Sequence, residues 1–158
     1  MNILVLCTGN SARSILLESI LNTSGQGRVT AYSAGSQPAG KVHPQSIKLL
    51  TAAGHDVSGA RSKSWDEFAA ANAPEMHAVI TVCGSAAGEV CPIWPGSPVR
   101  AHWGVEDPAK AAEPDWDAAF NEAYAILGRR AAAFLETPFD SMDNATLKST
   151  LDQVGTLP

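Results

Sequence analysis

Near its N-terminus the sequence contains Val5-Leu6-Cys7-Thr8-Gly9-Asn10-Ser11-Ala12-Arg13-Ser14, the segment most informative about the fold. Residues 2–6 are apolar and typical of a short buried β-strand, Thr8-Gly9-Asn10 is typical of a turn, and residues 11–21 carry leucine and isoleucine at helical spacing. A strand, a glycine turn and a helix therefore open the chain. This order is the start of a βαβ unit and predicts an α/β protein.

The rest of the chain continues the alternation of strands and helices. Strands separated by helices favour a parallel sheet with right-handed crossovers and helices on both faces. We therefore predict a three-layer α/β sandwich around a four-stranded parallel sheet. The further strands are predicted at residues 28–34, 77–82 and 99–103, and the helices at 43–53, 64–68 and 115–136.

Length and composition indicate one compact domain. The 158 residues are 45% hydrophobic and 17% charged, with a net charge of −5, which argues against a nucleic-acid-binding surface. The N-terminus lacks the pattern of a secretory signal, and no apolar run reaches the ~20 residues of a membrane span, so we predict a cytoplasmic protein. Residues 1–136 form the predicted domain, followed by a polar tail, residues 137–158, in which 143–154 could form a marginal helix.

Reactive side chains follow three of the predicted strands. Cys7 comes after the first strand, Cys83 after the third and Asp107 after the fourth. Ligands of open parallel sheets bind beyond the carboxyl ends of the strands. These three residues should therefore lie at the same end of the sheet.

The segment from Cys7 to Arg13 has the chemistry of an oxyanion cradle. A short loop that closes into a helix directs backbone N–H groups at one point, and Arg13 adds a planar fork for two oxygens. The same positive field should lower the pKa of Cys7 from about 8.5 toward ~4–7. Gly9 should permit a backbone geometry that a Cβ resists, Asn10 should bond the loop backbone, and Ser14 should donate to the Cys7 sulfur. The predicted oxyanion-binding residues are Thr8, Gly9, Asn10, Ser11, Ala12, Arg13 and Ser14.

The segment resembles the phosphate loop of low-molecular-weight protein tyrosine phosphatases and of the arsenate reductases that share their fold. Tyr32-Ser33-Ala34-Gly35 and His102-Trp103-Gly104-Val105-Glu106-Asp107-Pro108 are similar to two further segments of that family. The resemblance implies that Cys7 is the nucleophile and Asp107 the general acid, although Glu106, Asp115 and Asp117 compete for the acid role. Ala12 stands where many relatives carry a second cysteine.

The resemblance also concerns a monovalent cation beside the loop. Asn10, Glu18 and Ser33 match positions that relatives use to bind it, but Lys63 stands where an acidic ligand would be. We therefore predict no bound metal and no bound cofactor.

Two more cysteines separate a reductase from a phosphatase. Cys83 and Cys91 enclose a small, flexible segment that resembles the redox loop of the arsenate reductases, and a reductase needs additional thiols. Asp107-Pro108 is followed by Ala109-Lys110, with no aromatic side chain to stack on phosphotyrosine. Both features favour an arsenate reductase. The alternatives are a tyrosine phosphatase, a noncatalytic oxyanion-binding module, and a zinc site of Cys7, Cys83, Cys91 and His102.

The reductase interpretation implies a thiol relay. Cys7 attacks arsenate, Cys83 attacks the Cys7–arsenic adduct, and Cys91 then attacks Cys83. Cys83 should act first because it lies at the strand end nearest Cys7. The final disulfide needs an external donor, for which thioredoxin is the first choice and glutathione with glutaredoxin the second.

Overall fold

A computed structural model describes residues 1–84, 88 and 94–158 of the chain. Cys91 and most of the predicted redox loop lie outside the described residues. The strands are β1 (Asn2–Leu6), β2 (Thr30–Ala34), β3 (Ala78–Thr81) and β4 (Val99–His102), and the helices are α1 (Arg13–Ser24), α2 (Pro44–Ala52), α3 (Trp116–Leu135) and α4 (Asn144–Val154).

The four strands form one parallel sheet in the order β2-β1-β3-β4. Successive side chains of a strand point to opposite faces, and Ile3, Leu4, Val5 and Leu6 of β1 are all buried. Both faces of the sheet centre are therefore covered, which explains the uninterrupted apolar run in the sequence. The predicted α/β class and four-stranded parallel sheet are confirmed.

Helices α1 and α3 pack against each other beside the sheet. Helix α1 begins at Arg13, two residues later than predicted, because residues 8–12 form a series of bends beside a cavity before the helix starts. Helix α3 buries Phe120, Leu127 and Phe134 at helical spacing. Within the described part of the chain, no helix is long and apolar enough to cross a membrane.

Residues 137–158, set apart as a tail in the sequence analysis, pack against the sheet edge. Helix α4 buries Leu147, Leu151 and Val154 and contacts β4. The indole N–H of Trp103 donates to the carbonyl oxygen of Leu151 at 2.9 Å. The apolar stripe of α4 is only three residues long, so its burial was not apparent from the sequence.

Candidate active site

The loop between β1 and α1 turns its carbonyl groups away from the cavity that it encloses. The structure records no hydrogen bond from the backbone N–H groups of Asn10, Ser11 or Ala12 to any residue that it describes. Other segments donate hydrogen bonds to the outward carbonyl groups of the loop. The pairs are Gln37 N to Thr8 O, Ala39 N and Ser62 Oγ to Gly9 O, and His43 N and Ser46 Oγ to Ser11 O. The loop is therefore preorganised to present N–H donors to an anion.

Asn10 is the residue whose backbone the loop strains. Its φ is 45°, in the left-handed region that asparagine tolerates better than most residues. Its amide nitrogen donates to the hydroxyls of Ser14 (2.8 Å) and Ser33 (3.0 Å), and its amide oxygen accepts from Lys63 N (2.9 Å). Asn10 thus ties the loop to neighbouring segments rather than to the loop backbone. The geometric role predicted for Gly9 is wrong, because the nearest described atom to a Cβ there is Ser11 Oγ at 3.8 Å, an ordinary van der Waals contact.

Gly35 is a sterically required glycine beside the loop, to which the sequence analysis assigned no role. A Cβ at this position would lie 2.6 Å from the carbonyl oxygen of Cys7 and closer still to that of Thr8. Only glycine therefore lets the end of β2 approach the start of the loop this closely. The resemblance of Tyr32-Ser33-Ala34-Gly35 to a family segment was the available signal.

Cys83 lies against the loop at the carboxyl end of β3. Its sulfur accepts a hydrogen bond from the Thr8 amide at 3.4 Å and lies 3.6 Å from the Thr8 hydroxyl oxygen. A hydrogen bond with Cys83 is the main cause that raises the pKa of Cys7; burial raises it further, while the charge of Arg13 lowers it. The predicted low pKa is therefore wrong for this reduced pair of thiols. A hydrogen bond from the Gly9 backbone also lowers the pKa of Cys7. Ser14, which was expected to donate to the Cys7 sulfur, is not among the described residues that shift this pKa.

Arg13 joins the loop to the segment that carries Asp107. Its NH1 donates to the carbonyl oxygen of Val105 at 3.0 Å, and its NH2 lies 3.4 Å from Asp107 Oδ2. The buried Arg13 Nε has no hydrogen-bond partner among the described residues. A buried donor without a partner is costly, so this N–H is suited to a bound oxyanion. Asp107 Oδ1 accepts from Ala109 N at 3.0 Å, which fixes the carboxyl at the cavity mouth.

These side chains surround a cavity of about 200 Å³. The volume suits a small oxyanion, and a larger groove of about 750 Å³ adjoins it along α3. Of the four acidic candidates, Asp107 lines the small cavity, and Glu106 lines the groove but not that cavity. Asp117 accepts a hydrogen bond from Gln45 Nε2, and Asp115 is exposed just before α3. The small cavity is lined by Cys7, Thr8, Gly9, Ser11, Ala12, Arg13, Cys83, Asp107 and Lys110.

A buried ion pair lies beneath the loop, where the family resemblance points to a cation. Lys63 Nζ is 3.8 Å from Glu18 Oε2, and it donates to Arg61 O at 3.0 Å and to Ser33 Oγ at 3.5 Å. Burial raises the pKa of Glu18, and the charge of Lys63 opposes that rise. The Lys63 ammonium thus places a positive charge among the side chains that match the cation-binding positions of relatives.

The zinc alternative gains no support from the part of the chain that the structure describes. No cluster of three His, Cys, Asp or Glu side chains there could hold a metal ion. The His102 ring contacts Thr81 Oγ1 at 2.8 Å on the exposed side of β4. Cys91, the fourth candidate ligand, lies outside the described residues.

Comparison with known sequences identifies the class to which this fold and site belong. Residues 2–148 match the model of the low molecular weight phosphotyrosine protein phosphatase family, and the chain belongs to that family. Among its curated relatives, an arsenate reductase of Halalkalibacterium halodurans is 37% identical over 84% of this chain and 93% of the relative. An arsenate reductase of Bacillus subtilis is 36% identical over the same shares of the two chains.

Solved structures of similar fold include further arsenate reductases. A structure described as an arsenate reductase in the phosphate binding state superposes with a TM-score of 0.69 and 26% identity, covering 85% of this chain and 95% of the other. A thioredoxin-dependent arsenate reductase of Corynebacterium glutamicum gives a TM-score of 0.57 with 25% identity, covering 80% of this chain and 57% of the other.

Proposed function

We propose that this chain reduces arsenate to arsenite, with Cys7 as the attacking thiol and Cys83 as the second thiol. The contact between these two thiols inside an oxyanion-sized cavity carries the proposal. Hydrolysis of a phosphate ester uses one thiol, whereas reduction of arsenate consumes two electrons, which two thiols supply. The arsenate reductases that align with most of the chain support the same substrate.

Binding and attack follow from the donors of the loop. Arsenate accepts hydrogen bonds from the loop amides and from Arg13 Nε, and it takes the thiol proton of Cys7. The thiolate then lies in the field of Arg13, which lowers the pKa of Cys7. Its sulfur bonds to arsenic as one As–O bond breaks, and Asp107, as the general acid, donates a proton to the departing oxygen, which leaves as water.

Reduction takes place when the second sulfur attacks. The Cys83 thiol gives its proton to an oxygen of the arsenic adduct, and its sulfur bonds to the Cys7 sulfur. The electron pair of the S–As bond remains on arsenic, which passes from As(V) to As(III) and leaves as arsenite. Thr8 supports this step because its amide already donates to the Cys83 sulfur, which stabilises the thiolate. Cys91 then attacks Cys83, so that Cys7 is regenerated and a Cys83–Cys91 disulfide remains.

The remaining disulfide requires an external thiol donor. One similar structure is a thioredoxin-dependent arsenate reductase, and a relative from Synechocystis, 31% identical over 67% of the chain, is a glutaredoxin arsenate reductase. We propose thioredoxin as the donor, with glutathione and glutaredoxin as the alternative. The proposed location is the cytoplasm, where such systems keep thiols reduced. Arsenate-dependent NADPH consumption with each system supplied separately distinguishes the donors.

The second candidate function is that of a phosphatase, which the family match favours. Reduced protein should be incubated with arsenate and, separately, with p-nitrophenyl phosphate. We expect wild type to release arsenite. Cys7→Ser should neither reduce arsenate nor hydrolyse p-nitrophenyl phosphate. Ester hydrolysis that survives Cys83→Ser, together with no arsenite from wild type, would establish the phosphatase instead.

A further inference from the structure

Arg130 is a buried cation on α3 that the proposed reaction has not used. It is only 7% exposed, although it lies in the middle of an otherwise apolar helix face with Leu127, Ala131 and Phe134. Its Nε donates to the carbonyl oxygen of Leu157 at 2.9 Å, and its NH1 donates to the carbonyl oxygen of Gly104 at 3.2 Å. A buried guanidinium is retained only when such acceptors compensate its lost hydration.

Gly104 begins the segment that reaches the cavity. The next residue, Val105, donates its amide to Val82 O at 3.2 Å and accepts Arg13 NH1 on its carbonyl oxygen at 3.0 Å. Asp107 follows two residues later and pairs with the same guanidinium. Residues 104–107 therefore position the proposed acid, and their contacts with Arg13 join this segment to the loop.

The other end of the Arg130 link is also fixed. Gly155 packs so closely on β4 that a Cβ there would lie 2.7 Å from Trp103 Cδ1 and 2.8 Å from His102 O. The bond from Trp103 to Leu151 holds the preceding helical turn. The family match ends at residue 148, so the contacts at Leu151, Gly155 and Leu157 lie beyond it.

We propose that Arg130 is a positioning residue that holds residues 104–107, and hence Asp107, against a support formed by the C-terminal helix. This proposal rests on the proposed function, in which Asp107 is the general acid. Arg130 acts through the carbonyl oxygen of Gly104 and does not contact substrate. Without this hydrogen bond, residues 104–107 can shift. A catalytic group misplaced by about 1 Å can lower the rate by up to roughly 100-fold.

Arg129 offers a matched control next to Arg130. Its Nε donates to the carbonyl oxygen of Pro158 at 2.9 Å, so it also contacts the end of the chain. Unlike Arg130, it has no hydrogen bond to Gly104. Any effect that arises only from holding the C-terminal residues should appear in both Arg129→Met and Arg130→Met.

The test is arsenite release in a single turnover by reduced full-length protein without an external donor. Arg130→Met should slow release about tenfold with little change in the arsenate concentration needed for half-maximal rate, and Arg129→Met should match wild type. In an Asp107→Asn background, Arg130→Met should add less than about a twofold loss, because coupled residues are not additive. Arg130→Lys, which keeps one donor and the charge, should recover part of the rate.

Several outcomes would overturn the proposal. Equal losses from Arg130→Met in the wild-type and Asp107→Asn backgrounds, or equal losses from the two arginine variants, would make Arg130 a purely structural residue. If Arg130→Met does not fold, Arg130→Lys is tested instead, with hydrogen exchange of its Val105 amide as a measure of whether the segment is held. A wild-type rate in Arg130→Lys, together with fast exchange of that amide, would refute the positioning role. Wild-type release by Asp107→Asn would instead refute the acid assignment itself, which separates failure of the proposed function from failure of this inference.

Discussion

Replacement of Lys63 by methionine should destabilise the protein in a pH-dependent way. The side chains of Lys63 and Glu18 are 7% and 17% exposed, so little water remains to screen or replace their interaction. Methionine fills a similar volume, but it removes the ammonium group that lies 3.8 Å from the Glu18 carboxylate. Hydrogen bonds from Ser33 and the charge of Arg61 still lower the pKa of Glu18, but the charge of Lys63, the largest of the influences that lower it, is lost.

The size of the loss is limited by the proton that Glu18 can take up. The ordinary pKa of the carboxyl is 4.5, and burial raises it in the folded protein. Neutralising it costs about 1.4 kcal/mol for each pH unit above that value, so the limit is about 4 kcal/mol at pH 7.5 and close to zero at pH 4.5. The folded variant binds more protons than the unfolded chain, so its stability relative to wild type falls as pH rises. Losing one partner of a buried pair costs a similar amount, about 3–5 kcal/mol.

Urea unfolding of wild type and variant at pH 4.5, 6.0 and 7.5 measures this difference. The control is the double variant Glu18→Gln/Lys63→Met, which removes both charges and should show a smaller loss that does not change with pH. A loss in Lys63→Met that is constant with pH, or that grows toward pH 4.5, would refute the buried-pair reasoning.

Three further predictions concern the loop and its cysteines. Cys83→Ala removes the main cause that raises the pKa of Cys7, so alkylation of Cys7 by iodoacetamide at pH 7 should be faster than in wild type. Gly35→Ala should lower the free energy of unfolding by about 1–3 kcal/mol, whereas Gly128→Ala, which meets no atom within 4 Å, should not destabilise. Cys91→Ser should release about one arsenite per protein and stop as a Cys7–Cys83 disulfide found by peptide mapping; steady thioredoxin-coupled turnover would contradict the relay.

The sheet and the position of the site were predictable because local patterns determine them. The apolar runs before Cys7 and Cys83 are long enough to identify buried strands, and parallel topology then brings their carboxyl ends together. The contact of Cys83 with the loop fits that expectation. Cys91 stays a prediction, since it lies outside the described residues.

Features that depend on distant contacts were not predictable. The direction of the Cys7 pKa shift follows from a thiol 76 positions away in sequence, whose hydrogen bond outweighs the nearby Arg13. Gly35 is needed because another strand's loop passes over it, which composition cannot reveal. Arg130 resembles an ordinary surface charge of a helix until its two carbonyl acceptors are known.

The outward-facing carbonyl groups of the loop have a consequence for selectivity. A ring of amide donors responds to the tetrahedral shape and negative charge of its guest, and phosphate and arsenate share both. Inorganic phosphate should therefore compete for the cavity, as the similar arsenate reductase in a phosphate binding state illustrates. Discrimination then falls to the redox chemistry: a sulfur–arsenic bond can give its electron pair to arsenic, whereas thiols do not reduce phosphorus in phosphate. Phosphate should therefore act as a competitive inhibitor that is never itself reduced.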